Sequence, residues 1–225
     1  TRLSRGLGDV YKRQTISYDS LIFDLDGTLW DTTEAIVVAW NNVLERNKIN
    51  FKKIDSSDIK KVTGMQHDEC VKTIFRSLDK KKQSLIIKET MIEDNLIIKK
   101  NGGRLYNGVI EGLRLLNQHY KMYIVSNCQK GYIEIFLNLY KLNDIFLDFE
   151  CWGNTKKSKS DNIDMVKNRN KLQNPLYIGD TNGDMTAANK AHVKFYQLTY
   201  GFGDKIDEAI SFPTFTDLVK NLIPN

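Results

Sequence analysis

Short apolar runs, each closed by polar residues and followed by a helical period, constrain this chain more than any other feature. Ser20 to Leu25 (SLIFDL) has the continuous apolar character of a strand buried on both faces, and it runs straight into Asp24-Leu25-Asp26-Gly27-Thr28. The succession recurs at Met122 to Val125 before Ser126-Asn127, and at Pro175 to Ile178 before Gly179-Asp180. Asp148 to Trp152, a weaker run, and Val193 to Leu198 complete five predicted strands. Helical periods fall between them at Val109 to Gln118, Tyr132 to Tyr140, Asp161 to Asn170 and Met185 to Ala191, with a last one at Thr216 to Leu222. Such alternation predicts βαβ units and an α/β fold, a parallel sheet with helices on both faces in three layers.

One stretch lies outside the alternation. From Thr33 to about Lys100 the pattern is helical throughout, with Ala35, Val38, Ala39, Asn42 and Val43 on one face of its first helix. Further helices are predicted at Ser57 to Val62, Asp68 to Leu78 and Gln83 to Ile98, and Lys80-Lys81-Lys82 is predicted to be a solvated turn. Residues 33–102 therefore read as a helical subdomain inserted into a core made of 15–32 and 103–225.

Charge bears on partners through its position. The chain has 225 residues and a formal charge of +5, which invites a polyanion reading. However, residues 1–14 (TRLSRGLGDVYKRQ) hold four basic residues against one acid, without apolar alternation or helical period. They read as a translated sequencing-adapter scar, the other reading being a native basic arm. The remainder carries 29 Lys and Arg against 27 Asp and Glu, a net +2, which removes the case for a nucleic-acid partner. No apolar run approaches the ~20 residues that span a bilayer, so no membrane partner is expected. Three cysteines without a CxxC pair favour a reducing, cytoplasmic setting.

In an open parallel sheet the carboxyl ends of the strands share one edge, where ligands bind. Asp24, Asp26 and Asp180 would meet there, and like charges so close repel unless a cation lies between them. Carboxylate and carbonyl oxygens are hard donors that suit Mg²⁺ better than zinc. Ser126 and Asn127 add a hydroxyl and an amide that can donate to an anion, and the Lys156, Lys157, Lys159 group adds positive charge. Each element alone has a bland reading: a turn, a loop, a solvated face, or, for Gly179 to Asp184, a helix N-cap with an acidic first turn. Their order, with the acids and the Ser-Asn pair each behind an apolar strand, points instead to a Mg²⁺-dependent phosphoryl site with a carboxylate nucleophile.

These residues resemble the haloacid dehalogenase-like superfamily over about residues 18 to 220. Asp24-Leu25-Asp26-Gly27-Thr28 matches its DxDGT motif, Ser126-Asn127 its second, Lys159 its third, and Gly179-Asp180-Thr181-Asn182-Gly183-Asp184 its GDxxxD motif. Asn107-Gly108-Val109 departs from the common Pro-Gly-Val at a helix entry, where no chemistry is involved. The resemblance implies a Rossmann-like core with a C1-type helical cap, in the manner of phosphoglycolate phosphatases. It implies that Asp24 attacks phosphorus to give an aspartyl-phosphate, and that Asp26 protonates the leaving alcohol and then activates water. It implies Mg²⁺ held by Asp24, the main-chain carbonyl of Asp26, and Asp180, with Asp184 orienting these ligands or binding through water. Thr28, Ser126, Asn127 and Lys159 would hold the phosphoryl oxygens. Lys157 is a substitute for Lys159 by spacing.

The cap carries less. Gly64-Met65-Gln66-His67 resembles the family's substrate-facing loop, so Gln66 and His67 are candidates to touch a leaving group, against a structural role for an exposed loop histidine. Cys128 reads as a small buried hydrophobe in preference to a redox sensor, and Gly201-Phe202-Gly203 as a loop. The expected activity is hydrolysis of a small phosphorylated metabolite by a monomer or weak dimer. The alternatives are a sugar phosphomutase, a pyrophosphatase, or a non-catalytic binding member.

Overall fold

A computed structural model describes residues 18–223. The expected segment 1–14 lies outside them. In chain order the elements are β1 (Ser20–Phe23), β2 (Trp30–Asp31), α1 (Thr33–Arg46), α2 (Ser56–Lys60), α3 (His67–Ile74), α4 (Lys80–Asn101), β3 (Arg104–Leu105), α5 (Val109–Leu116) and β4 (Lys121–Ser126). There follow α6 (Tyr132–Tyr140), β5 (Phe146–Cys151), α7 (Trp152–Thr155), α8 (Lys159–Arg169), β6 (Pro175–Gly179), α9 (Asn182–Lys190), β7 (Lys194–Leu198), β8 (Ile210–Phe212) and α10 (Phe215–Leu222).

The predicted three-layer α/β sheet is present. Six parallel strands lie in the order β5-β4-β1-β6-β7-β8. Alternate residues of β1 serve opposite faces, as a strand's period of two requires. Leu21 and Phe23 pack with Val109, Phe136 and Phe215 from α5, α6 and α10. Ile22 packs with Ile163, Val166 and Ala188 from α8 and α9. With both faces covered, β1 is wholly buried. The strand order reverses between β1 and β6, so the residues after these two strands flank the crevice where the sheet opens.

Helices α1–α4 share a separate core that includes Trp40, Ile59, Val71, Phe75 and Ile86. The chain leaves for them at β2 and returns at β3, and these two short strands pair antiparallel, Trp30 with Leu105 and Asp31 with Arg104. Trp30 anchors the junction. It is fully buried, with ring centroids 5.4 Å from Tyr132 and 5.0 Å from Phe136.

Three local expectations change. Lys80-Lys81-Lys82 is not a turn but the first turn of α4, because Asp79 caps that helix by accepting from the Lys82 amide at 2.9 Å. The three lysines remain exposed, as solvated residues on a helix terminus can. A sixth strand, β8, was not predicted, since its three residues are too few to show an alternation and its pairing with β7 supplies the order. Trp152 opens α7 and does not end β5. Among the described residues no helix is long and apolar enough to cross a membrane.

Truncating a large buried aromatic removes its transfer energy and leaves a cavity, at about 3–5 kcal/mol. Trp30→Ala should lower unfolding free energy in urea by that amount. Leu147→Ala, at a residue 61% exposed, should stay within about 0.5 kcal/mol of the parent.

Candidate active site

The ends of β1, β4 and β6 place their polar residues at one crevice. Asp24 follows β1 and is 2% exposed, and Asp180 follows β6 and is wholly buried. Asp184 lies one turn into α9, and its side chain also closes that helix's capping box. Its Oδ2 accepts from the Thr181 hydroxyl at 2.7 Å and from the Thr181 amide at 3.0 Å. The helix-cap reading of this motif is thus borne out, and the same cap holds Asp184 beside the other two acids. Oxygens of Asp24, Asp180 and Asp184 all lie within 4.8 Å of one another.

Lys159 supplies the opposing charge. It opens α8, is 6% exposed, and donates from Nζ to Asp24 Oδ1 at 3.0 Å and to Asp184 Oδ1 at 2.6 Å. Lys157, the substitute by spacing, is exposed. Burial would lower the Lys159 ammonium, but Asp184 and Asp24 outweigh it and hold it well above its ordinary value. Asp184 is lowered, because Lys159 and the Thr181 hydrogen bonds overcome the burial that opposes ionisation. Asp24 is raised to about 6 in spite of Lys159, since burial dominates and the charge on Asp184 adds to it. Asp180 is raised well above the carboxylate range by burial and by its acidic neighbours.

Asp26 belongs to a different environment. Its carboxyl turns from the three acids, and Oδ1 accepts from Tyr132 Oη at 2.7 Å and from Thr32 Oγ1 at 2.9 Å. Burial pushes it up to about 7, which those two hydrogen bonds only partly offset. The turn that follows Asp26 depends on Gly27, with φ at +85° and no room for a Cβ, which would run into Asp180 Oδ2.

The other expected residues fall as follows. The Thr28 hydroxyl is buried and donates to Asp180 Oδ1 at 3.3 Å, while its amide donates to Leu25 O at 3.3 Å and its carbonyl accepts from Tyr200 Oη at 2.6 Å, so every polar group of the expected anion ligand already has a partner in the fold. Ser126 and Asn127 line the same cavity as Asp24 and Asp26. The Asn127 amide nitrogen donates to Gly64 O at 2.8 Å, joining the crevice to the helical segment above it. Gln66 caps α3 and does not line the cavity. His67 lines it but is not an exposed loop residue: it is 6% exposed and opens α3, with Nε2 3.3 Å from Asp94 Oδ2. Cys128 is buried beside Cys151, and all three cysteines are free thiols.

Sequence reasoning missed Tyr132 and Thr32, which hold Asp26, and Phe202, whose amide donates to Asp180 Oδ2 at 2.7 Å. The Gly201-Phe202-Gly203 loop thus wraps the Asp180 carboxylate. Its two glycines were the available signal, since a Cβ at Gly201 would lie 2.3 Å from Asp180 Cβ.

The donor set fits a hard divalent cation. Three buried carboxylates face one ammonium, and burial resists the ionisation of two of them. No histidine or thiol joins the group, which favours Mg²⁺ over softer metals. The main-chain carbonyl of Asp26 remains the fourth candidate donor.

A sequence profile of the haloacid dehalogenase-like hydrolases matches residues 21–198. The chain belongs to that family. It is 28% identical over 211 residues to a phosphoglycolate phosphatase of Rhodobacter capsulatus, covering 88% of this chain and 94% of the relative. It is 24% identical over 212 residues to one from Vibrio parahaemolyticus, covering 87% and 90%. Among solved structures, a predicted phosphoglycolate phosphatase of Haemophilus somnus superposes with a TM-score of 0.80 at 20% identity, over 90% of this chain and 97% of that one. CbbY of Rhodobacter sphaeroides, solved with phosphate, gives 0.78 at 13%, over 91% and 99%. Family and relatives together indicate a phosphatase.

The raised carboxyls give a test of the cation site. Asp24 and Asp26 bind protons more tightly folded than unfolded, so stability falls as pH rises from the ordinary carboxylate range through about 6 and 7. A bound cation relieves that loss, and protons compete with it at low pH. Mg²⁺ should therefore raise the melting temperature more at about pH 8 than at about pH 5. Equal increments would count against a cation among these acids.

Proposed function

We propose that the chain is a Mg²⁺-dependent phosphatase that moves the phosphoryl group of a small phosphomonoester first to Asp24 and then to water. It would work in a reducing compartment such as the cytoplasm, where its three thiols stay reduced. The observation that carries this reading is the contrast between two carboxyls two residues apart. Asp24 is held by Lys159 within an acidic cluster, whereas Asp26 is held by Tyr132 and Thr32 and pushed up to about 7. Environments that separate paired carboxyls assign one as the nucleophile and the other as the acid and base.

In the first step an Asp24 oxygen attacks phosphorus. The ester P–O bond breaks, and the proton on Asp26 passes to the leaving alkoxide. In the second step Asp26, now a carboxylate, takes a proton from water as its oxygen attacks phosphorus. The acyl-phosphate P–O bond breaks, phosphate leaves, and both carboxyls are restored. Lys159, the Ser126 hydroxyl and main-chain groups near Thr28 would stabilise the phosphoryl oxygens, which is the largest demand of this chemistry. Mg²⁺ would be held by Asp24, Asp180 and the Asp26 carbonyl, with Asp184 keeping Lys159 and this group in place. When bound, it supplies positive charge that offsets the phosphoryl oxygens and the acids.

Hydrolysis of an aryl phosphate should require Mg²⁺ and be abolished by Asp24→Asn. Activity equal to the parent in that variant would overturn the nucleophile assignment. The acid role of Asp26 requires its proton, so kcat/KM should decline on the basic side with an apparent value near 7. Tyr132 donates to the ionised form and thereby lowers Asp26. Tyr132→Phe should move the basic limb to higher pH, and an unmoved limb would separate Tyr132 from the proton donor.

A further inference from the structure

The cavity above Asp24 and Asp26 has a roof, and its chemistry bears on the leaving group. It measures about 90 Å³, with room for a phosphoryl group and a few further atoms. Trp40, His67 and Asp94 come from α1, α3 and α4 to line it, and no lysine or arginine lies among its lining residues. Asp94 is 1% exposed and sits on the inward face of α4.

The hydrogen bonds around His67 settle which of its atoms donate. The Thr90 hydroxyl gives its single hydrogen to Ile86 O at 2.7 Å, so its oxygen must accept from His67 Nε2 at 3.2 Å. Nε2 therefore carries hydrogen, shared with Asp94 Oδ2 at 3.3 Å. Trp40 Nε1 donates to the same oxygen at 3.5 Å. This leaves Asp94 Oδ1 and His67 Nδ1 buried and without a partner. A carboxylate oxygen so placed is costly unless something donates to it: burial raises the Asp94 carboxyl against the opposing pull of His67 and Trp40, and a further donor would favour the ionised form.

Resting on the phosphatase reading above, we propose that Asp94, positioned by His67 and Trp40, selects phosphomonoesters whose leaving group carries hydrogen-bond donors, hydroxyl or ammonium, and disfavours those that carry a carboxylate. A carboxylate-bearing ester such as phosphoglycolate would bring a second anion beside Asp94, with no lysine or arginine in the cavity wall to neutralise it. A polyol or amino-alcohol ester brings the missing donor. The substrate class thus differs from the one in the names of the curated relatives.

The test compares glycerol phosphate, phosphoethanolamine and phosphoglycolate on the intact chain with Mg²⁺. The first two separate hydroxyl from ammonium recognition, and at least one should exceed phosphoglycolate in kcat/KM by about tenfold or more. Asp94→Asn keeps the shape and removes the charge, and should shrink that ratio about tenfold through KM. His67→Gln should shrink it in the same direction, and serves if the first variant does not fold. Phosphoglycolate as the best of the three, or a ratio unchanged in both variants, overturns the proposal. Calorimetric binding of the same three compounds to Asp24→Asn gives the ranking without turnover. If the parent fails to hydrolyse any ester, the phosphatase reading falls while this binding order still decides the selectivity.

Discussion

The ammonium of Lys159 between Asp24 and Asp184 is the interaction on which the rest of the site depends. Three carboxyls, Asp24, Asp180 and Asp184, gather where β1 and β6 part, with Asp26 turned aside, and one buried lysine answers them. Removing one partner from a buried ion pair leaves an uncompensated charge and costs about 3–5 kcal/mol, far more than an exposed pair contributes. The fold tolerates the excess acid because each carboxyl has assigned donors: Thr181 for Asp184, Phe202 and Thr28 for Asp180, Tyr132 and Thr32 for Asp26. What these donors do not balance is the net negative charge, which a divalent cation would offset together with the charge that a phosphoryl group brings.

Geometry follows from this. Parallel strands deliver their polar termini to one edge, and the reversal of strand order opens a crevice there without breaking the sheet. The helical segment closes over it, tied by the Asn127–Gly64 hydrogen bond, and the chain departs for it at β2, where the Trp30 ring packs on Tyr132 and Phe136 of the core. Tyr132 belongs to both systems, with its ring against Trp30 and its hydroxyl on Asp26. The packing that joins the helices to the core therefore also sets the position of the proposed acid.

Much of this was legible along the chain. Asp24 and Asp180 stand behind two buried strands, so strand ends predicted their meeting, whereas the turn of the Asp26 carboxyl toward Tyr132 and Thr32 had no such signal. Lys159 was assigned over Lys157 by the motif; in the fold Lys159 opens α8 and is buried, whereas Lys157 lies ahead of the Ser158 cap and stays in water. Residues that act through distant partners left no local mark. Tyr132 is 106 positions from Asp26, and Asp94 lies on a helix whose inward face is otherwise read from apolar residues. His67 was expected in an exposed loop because the α3 boundary is marked by Gln66, a weak cap without a side-chain hydrogen bond. A contact made across the fold has no period.

The central claim is that Asp24 forms a covalent bond to phosphorus. Acid quenching during turnover of a phosphomonoester, followed by borohydride reduction and peptide mass spectrometry, tests it directly, because an aspartyl-phosphate is reduced to homoserine. The account predicts homoserine at position 24 and nowhere else, dependent on substrate. Turnover with no modified aspartate, or with the phosphoryl group on Ser126 or another side chain, would contradict it.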